Sequence, residues 1–593
     1  MNREKNTSSL KERIFSIFYL PSALLVVFMF SISSTVVVYN LLGVRGSIPI
    51  GHRQNRKVGI LFLNESQNWY SKVSSKTKYK NRLSEVKEDL LKLNIKSDII
   101  KIEDLKNYPI VFVIDSPSIS KEHRKALKEY LKNGGHILIT WFSGFYDENF
   151  NKVKPIIEEF SDAKFKNIFS PGEKIFVAPK ILNPITFSLH GKRAEIVLYD
   201  PMPLFSSAQA RSSLLPCSWS MLPHKTIGTT PLMFYGFYGN GSFVYTTFPY
   251  YSLKDIKGQD KYFMTLLKNI YNFLSEKSIA VPFPFIDIEN PTVIETDAEY
   301  EIENLKHFEN TLRKFRIKGT AFILSSLANR VSSNLLKSKN IEIGSHFTEH
   351  IPLTKLKIAD IETGLKKSKE ILEKLSGKKV TGFRPPEESI PEHLTELLKK
   401  TDYRYLLSSA EKTSIYPHMK NGIVVIPRNG NDDFYFTIKS NKLSAEEFLK
   451  EESFIHTLNS VYILSLHTEI GLKEQSLLSS FIEKSKNTTF TTCKKIAEKV
   501  RLFYGLNTKL TISSNGKAAS LKIVNRNPET VKKMKVRIFW NKKGISVVKA
   551  VSEIVGQPSP EVKNYQTYTD ITLKEIKPAS SQIFYLTLAS NGR

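Results

Sequence analysis

Four short segments place carboxylates, imidazoles and a guanidinium where apolar runs end. Asp297 and Glu299 close the run TVIETDAEY (Thr292–Tyr300), and both carboxylates reach one pocket where the chain turns after the strand. His346 and His350 lie in IEIGSHFTEH (Ile341–His350). Imidazoles at i and i+4 converge on one ion when such a segment enters a helical turn. Arg384 ends the run in VTGFRPPEE and precedes Pro385 and Pro386, while His467 ends the apolar run in VYILSLHTE. Alone, each has an ordinary reading: a surface histidine pair, a helix-capping carboxylate, a surface ion pair, a core histidine. Together they occur in order, each after a strand, with helical patterns between them. That is the layout of a barrel enzyme, whose polar residues collect at the C-terminal ends of parallel strands.

The conjunction resembles the NodB-type polysaccharide deacetylases, carbohydrate esterase family four, over residues 281–506. The resemblance implies an incomplete β/α barrel that hydrolyses N-acetyl groups of an aminosugar polymer. It assigns Asp297 as general base and Glu299, His346 and His350 as ligands of a divalent metal ion, zinc first, with cobalt, manganese, iron or nickel as alternatives. The family's H-S/T-x-x-H motif matches His346–His350 with Phe347 at its second position. Its R-x-P-Y motif matches Arg384, Pro385 and Pro386, with Glu387 in place of the tyrosine. The resemblance further implies that Arg384 orients Asp297, and that Pro386 and the Glu387 backbone N–H lie at the substrate and its oxyanion. His467 would be the general acid, supported by Asp432 or Asp433 of NDDFYF. A Glu in place of the family's metal aspartate adds a methylene and bears on metal preference.

The chain around these residues reads as several units. Strand runs at Val58–Leu63, Ser97–Ile102, Ile110–Ile114 and His136–Thr140 alternate with helical patterns around Ser84–Leu93 and Lys121–Lys132. This alternation predicts a parallel sheet covered by helices. Residues 51–280 thus resemble the class I glutamine-amidotransferase-like, flavodoxin-like fold, closing with a strand at Ser242–Thr247 and a helix near Lys261–Leu274. No cysteine occupies a nucleophile position there, Ser143 is a weak substitute, and His136, His190 and His224 read as structural, so the unit is expected to be non-catalytic. The proline-punctuated VPFPFIDIENP (Val281–Pro291) marks the boundary to the barrel. Beyond it, residues 507–593 show runs at Lys509–Ser513, Ser520–Asn525, Lys535–Trp540 and Gln582–Leu588, predicting a β-sandwich.

Residues 1–50 read as a cytoplasmic N-terminus and an anchor. Ile14 to Leu42 is free of charge and longer than the roughly 20 residues needed to cross a bilayer. The expected fold class is therefore multidomain α/β: a transmembrane helix, a flavodoxin-like parallel-sheet domain, a deacetylase barrel and a β-sandwich. A lipid bilayer is the expected partner of that helix, with the catalytic domains extracytoplasmic. The 593 residues carry a formal charge of +28, but the lysines are scattered and no zinc finger or RNA-binding signature occurs, so nucleic acid is not an expected partner. Cys217 and Cys493 lie too far apart in sequence for a C-x-x-C site and read as buried thiols. The expected partner is an N-acetylated polysaccharide; a non-hydrolytic glycan scaffold or a glycolipid deacetylase are the alternatives.

Overall fold

The computed structural model describes residues 56–590, apart from 75–77, 171–174, 197–198, 207–210, 219–222, 224, 255, 409–413 and 541. The segment 14–42, read above as a membrane helix, lies outside the described residues, and among those described no helix is long and apolar enough to cross a membrane. The transmembrane helix is therefore withdrawn from the fold class, and with it the bilayer partner and the single-pass, extracytoplasmic localisation. An apolar run sets the length a helix could have, not that a helix forms.

The barrel positions the four chemical segments. Its sheet runs His418–Lys420, Ile423–Pro427, Tyr405–Ser408, Gly382–Phe383, Ile341–Ser345, Gly319–Ile323, Pro291–Ala298 and Tyr462–His467. All neighbours pair in parallel except the short edge strand His418–Lys420. Between Ile423–Pro427 and Tyr462–His467 the wall is crossed by a single parallel bridge, Asp432 to Ser465. Strands buried on both faces need near-continuous apolar sequence, which VYILSL and IVVIP supply. Against that background Glu295, fully buried within Pro291–Ala298, stands out as an ionisable side chain in a core strand.

The preceding unit has a mixed sheet, which corrects the parallel sheet expected. Ser97–Ile100, Val58–Leu61, Ile110–Val113, His136–Thr140 and Gly241–Thr246 are parallel. Met233–Tyr238, Arg211–Cys217, Ile175–Pro179 and Ala194–Ile196 then extend the sheet in antiparallel fashion. The switch occurs at a two-residue hairpin, Gly239-Asn240, where Gly239 takes the left-handed φ of 54° that such turns require. Ser143 is buried, accepting the Ser116 N–H and donating to the Thr140 carbonyl, so it serves as structural support. His136 bonds Ser242 inside the same core, and His190 stacks on Tyr504, whereas His224 lies outside the described residues.

Two antiparallel four-stranded sheets close the chain. One joins Ile279–Pro282, Val531–Phe539, Tyr568–Ile576 and Glu561–Asn564, so the segment before the barrel supplies its edge. The other joins Leu506–Ile512, Ala518–Asn525, Ser580–Ser590 and Ile545–Ser552. Leu521, Met534, Val536, Trp540 and Leu573 are among the residues packed between them.

One contact in the barrel explains a departure from the resembled motif. Phe347 follows His346 with a φ of 76°, and its buried ring fills the space above Gly364 in the helix Ile358–Ser376. A Cβ at Gly364 would lie 2.3 Å from that ring. Alanine normally favours a helix by about 1 kcal/mol over glycine. Overpacking a core costs about 1–3 kcal/mol and prevails here, because the ring is held between two elements. Gly364→Ala should therefore destabilise the protein in urea titration, because the ring cannot stay where Phe347 now holds it. A more stable variant would show that the ring is free to move.

Candidate active site

Glu295 and Asp297 lie two residues apart on Pro291–Ala298, so their side chains share the face turned into the barrel mouth. Glu299 itself lies just past the strand, in the bend that begins there, and its carboxylate comes within 4.8 Å of that of Asp297. Asp297 sits opposite His467 in the register of the neighbouring strand. His346 follows the end of Ile341–Ser345, and Arg384 follows Gly382–Phe383, which pairs with Ser345.

Glu299 lies between two imidazoles, with His346 Nε2 at 2.8 Å from Oε1 and His350 Nε2 at 3.1 Å from Oε2. On its far side His346 Nδ1 is 2.9 Å from the Arg384 carbonyl, which fixes a proton on Nδ1. Nε2 then faces a carboxylate oxygen, and only a positive charge between them, a proton or a metal ion, satisfies both. Burial pushes the Glu299 carboxyl up, but the hydrogen bonds from His346 and His350 outweigh it and hold it well below the usual range. His350 is raised, first by its bond to Glu299 and further by the charges of Glu299, Glu387 and Asp297. One donor atom from each of Glu299, His346 and His350 lies within 4.8 Å of the others. Asp297 Oδ1, buried beside them, has no hydrogen-bond partner. Two imidazoles, a carboxylate and an adjacent orphaned oxygen fit a divalent cation.

Arg384 organises the other carboxylates. Its Nε donates to Asp297 Oδ2 at 2.5 Å, and its two terminal nitrogens reach Glu295 at 3.3 Å and Glu388 at 3.2 Å. Burial would lower the guanidinium's proton affinity, but Asp297, Glu295 and Glu388 together raise it well above its ordinary value. Burial drives Glu295 up to about 8, with the Asp297 charge adding to it and Arg384 opposing. Glu388 also meets Arg428, which in turn binds Asp432.

His467 is held from behind by Asp433, which is fully buried. Nδ1 is 2.6 Å from Asp433 Oδ1, and the backbone N–H groups of His467 and Gly471 both donate to Oδ2. Nε2 points to the mouth, 4.0 Å from Asp297 Oδ2. Burial lowers the affinity of His467 for its second proton, but Asp433, with Asp297 and Asp432 beyond, raises it to about 10. Of the two aspartates weighed from sequence, the structure brings Asp433 to His467 and turns Asp432 away, to Arg428 and the Tyr435 N–H. Pro386 is buried, and Glu387 is exposed with a left-handed φ of 52°. Sequence reading missed Glu295, Glu388 and Arg428. The first carried a signal, since a glutamate inside an apolar strand is almost never buried unpaired.

The match to known proteins divides along the chain. Residues 293–406 match the family model described as polysaccharide deacetylase, so the chain carries a polysaccharide deacetylase domain. Residues 56–166 match the beta-galactosidase trimerisation domain, which corrects the glutamine-amidotransferase assignment. Alternating strands and helices are common to many layered α/β folds and do not discriminate among them. A beta-galactosidase from Geobacillus kaustophilus is 30% identical over 106 residues, covering 17% of this chain and 16% of that protein. One from Planococcus sp. (strain 'SOS Orange') is 32% identical over 101 residues, covering 16% and 15%. The chain thus spans less than a fifth of these relatives.

Among solved structures, the esterase domain of a multidomain xylanase from the hindgut metagenome of Trinervitermes trinervoides is 17% identical. It covers 36% of this chain and 92% of that one, with a TM-score of 0.27. A family-four carbohydrate esterase pseudoenzyme from Bacillus anthracis is 15% identical, covering 36% and 66%, with a TM-score of 0.27. A beta-galactosidase from Bacillus circulans sp. alkalophilus is 18% identical, covering 39% and 34%, with a TM-score of 0.30. Likenesses this low carry no inference about this chain.

The His467–Asp433 pair makes stability depend on pH with a definite sign. Its folded-state proton affinity, about 10, exceeds that of an unfolded histidine, roughly 6.5. Its contribution is therefore fully present below roughly pH 6.5 and is lost as pH rises through about 10. Asp433→Asn should flatten the pH dependence of unfolding free energy across that window, measured by urea denaturation of the metal-free protein. An unchanged slope would mean that the pair does not hold the proton.

Proposed function

We propose that this protein is a metal-dependent hydrolase that removes N-acetyl groups from an aminosugar polysaccharide or cell-wall glycan. The observation that carries the reading is the approach of His467 Nε2 to within 4.0 Å of Asp297 Oδ2, each side chain anchored from behind by a different partner. A base and an acid held side by side, next to two imidazoles and a carboxylate, suit amide hydrolysis, where one proton leaves water and another reaches the departing nitrogen.

Glu299, His346 and His350 would hold the divalent ion, which when bound lowers the pKa of water and polarises the amide carbonyl. Asp297 takes the water's proton on Oδ1, the oxygen that Arg384 leaves free. Arg384 fixes the plane of that carboxylate. His467 is protonated at neutral pH and gives its Nε2 proton to the amine nitrogen as the C–N bond breaks. The backbone N–H of Glu387 serves the carbonyl oxygen as it gains charge. Acetate and a free amino sugar result.

Acetate release from N-acetylated glucosamine oligosaccharides tests the reading. Release should need added Zn²⁺ or Co²⁺, stop with chelator and vanish in His346→Ala. Asp297→Asn should lower kcat by about 10²–10⁴-fold while leaving the bound metal in place. Release that persists without metal, or in Asp297→Asn, would contradict it.

A further inference from the structure

A second recess lies at the opposite end of the same strands. It has a volume of about 210 Å3 and is lined by Phe283, Asn290, Asn459, Arg537, Tyr565 and Asp570, among others. Pro291–Ala298 starts at this recess and carries Asp297 near its other end, while Tyr462–His467 starts just beyond Asn459 and ends at the proposed general acid. At about 3.3 Å per residue, six residues of strand separate the two sites by about 20 Å.

The walls combine a flat aromatic face with a fixed polar pair. Tyr565 is 45% exposed and stacks on Tyr568 at an interplanar angle of 23°, with ring centroids 4.4 Å apart. The Arg537 guanidinium stacks over Tyr568 at 4.0 Å and over Phe283 at 5.1 Å. It is locked to Asp570 by two parallel hydrogen bonds of 2.7 Å each. Further lining comes from two turns with left-handed residues, Asn290 and Asn459 with φ of 44° and 60°, and Ile286 next to the lining residue Phe285 has a φ of 62°. A β-branched residue at positive φ is an outlier, and such residues gather where a surface must be held in one shape. Ile286 is held there because its side chain is buried in the sandwich core.

The geometry points to a secondary saccharide-binding site, with one sugar ring of an extended glycan stacked on Tyr565 and its hydroxyls bonded to Arg537 and Asp570. A pyranose presents an apolar C–H face that suits an aromatic ring, and adjacent hydroxyls that suit a paired donor and acceptor. Charges at the recess are balanced, with Arg537 against Asp570 and Lys535 against Glu289. That favours an uncharged N-acetylated sugar over an anionic polymer or the cationic deacetylated product. The choice of sugar class rests on the proposed deacetylase function. A site at the far end of these buried strands, about 20 Å from the acid, would hold a long glycan on the protein without touching a short one bound at the mouth.

Calorimetric titration of the full chain with an N-acetylglucosamine hexamer, using Tyr565→Ala and Tyr565→Phe in wild-type and His350→Ala backgrounds, tests this. Tyr565→Ala should weaken hexamer binding at least fivefold in both backgrounds, and Tyr565→Phe should retain it. Acetate release from the dimer should be the same in Tyr565→Ala as in wild type. Hexamer affinity unchanged in Tyr565→Ala, or no hexamer binding by the wild type, would overturn the inference. Tyr565-dependent binding in a protein that releases no acetate would support this site while removing the deacetylase reading.

Discussion

Everything at the barrel mouth depends on the burial of Arg384. A guanidinium removed from water is tolerable only when carboxylates replace its hydration, and here Asp297, Glu295 and Glu388 do so. The converse also holds, since these acids would be costly in a barrel interior without the cation. Removing one partner of a buried pair costs about 3–5 kcal/mol, chiefly because the other charge is stranded. The site is thus not an addition to a finished barrel, because its charges are part of what packs the mouth.

From Arg384 the constraint spreads to both halves of the chemistry. Its carbonyl fixes the ring of His346, and its Nε leaves one oxygen of Asp297 free. Through Glu388, Arg428 and Asp432 it is tied to the loop that carries Asp433, and Asp433 holds His467. Residues from four strands are therefore coupled by alternating charges, with backbone carbonyl and N–H groups completing the set.

The chemistry was more legible in the sequence than its support. Asp297, Glu299, His346, His350, Arg384 and His467, which the structure brings together, stood out because each lies at or within a few residues of the end of an apolar run, which period-two and apolar patterns mark well. Asp432 and Asp433 could not be separated, since adjacent residues differ only in the direction they point. That direction is set by Arg428, a residue with no motif of its own. Glu388 was hidden for the same reason, as its partners are distant in sequence. In the first unit, strands alternating with helices revealed layers but neither the antiparallel extension after Gly239 nor the family. The apolar length of residues 14–42 implied a membrane helix that the described structure does not supply.

The central claim is that Glu299, His346 and His350 form one metal site. Anomalous X-ray scattering from crystals grown with Zn²⁺, recorded at the zinc absorption edge, tests it directly. The account predicts one strong peak per chain, about 2.0–2.2 Å from a Glu299 oxygen and from Nε2 of both histidines. No peak there, or a peak bound by other residues, would contradict it.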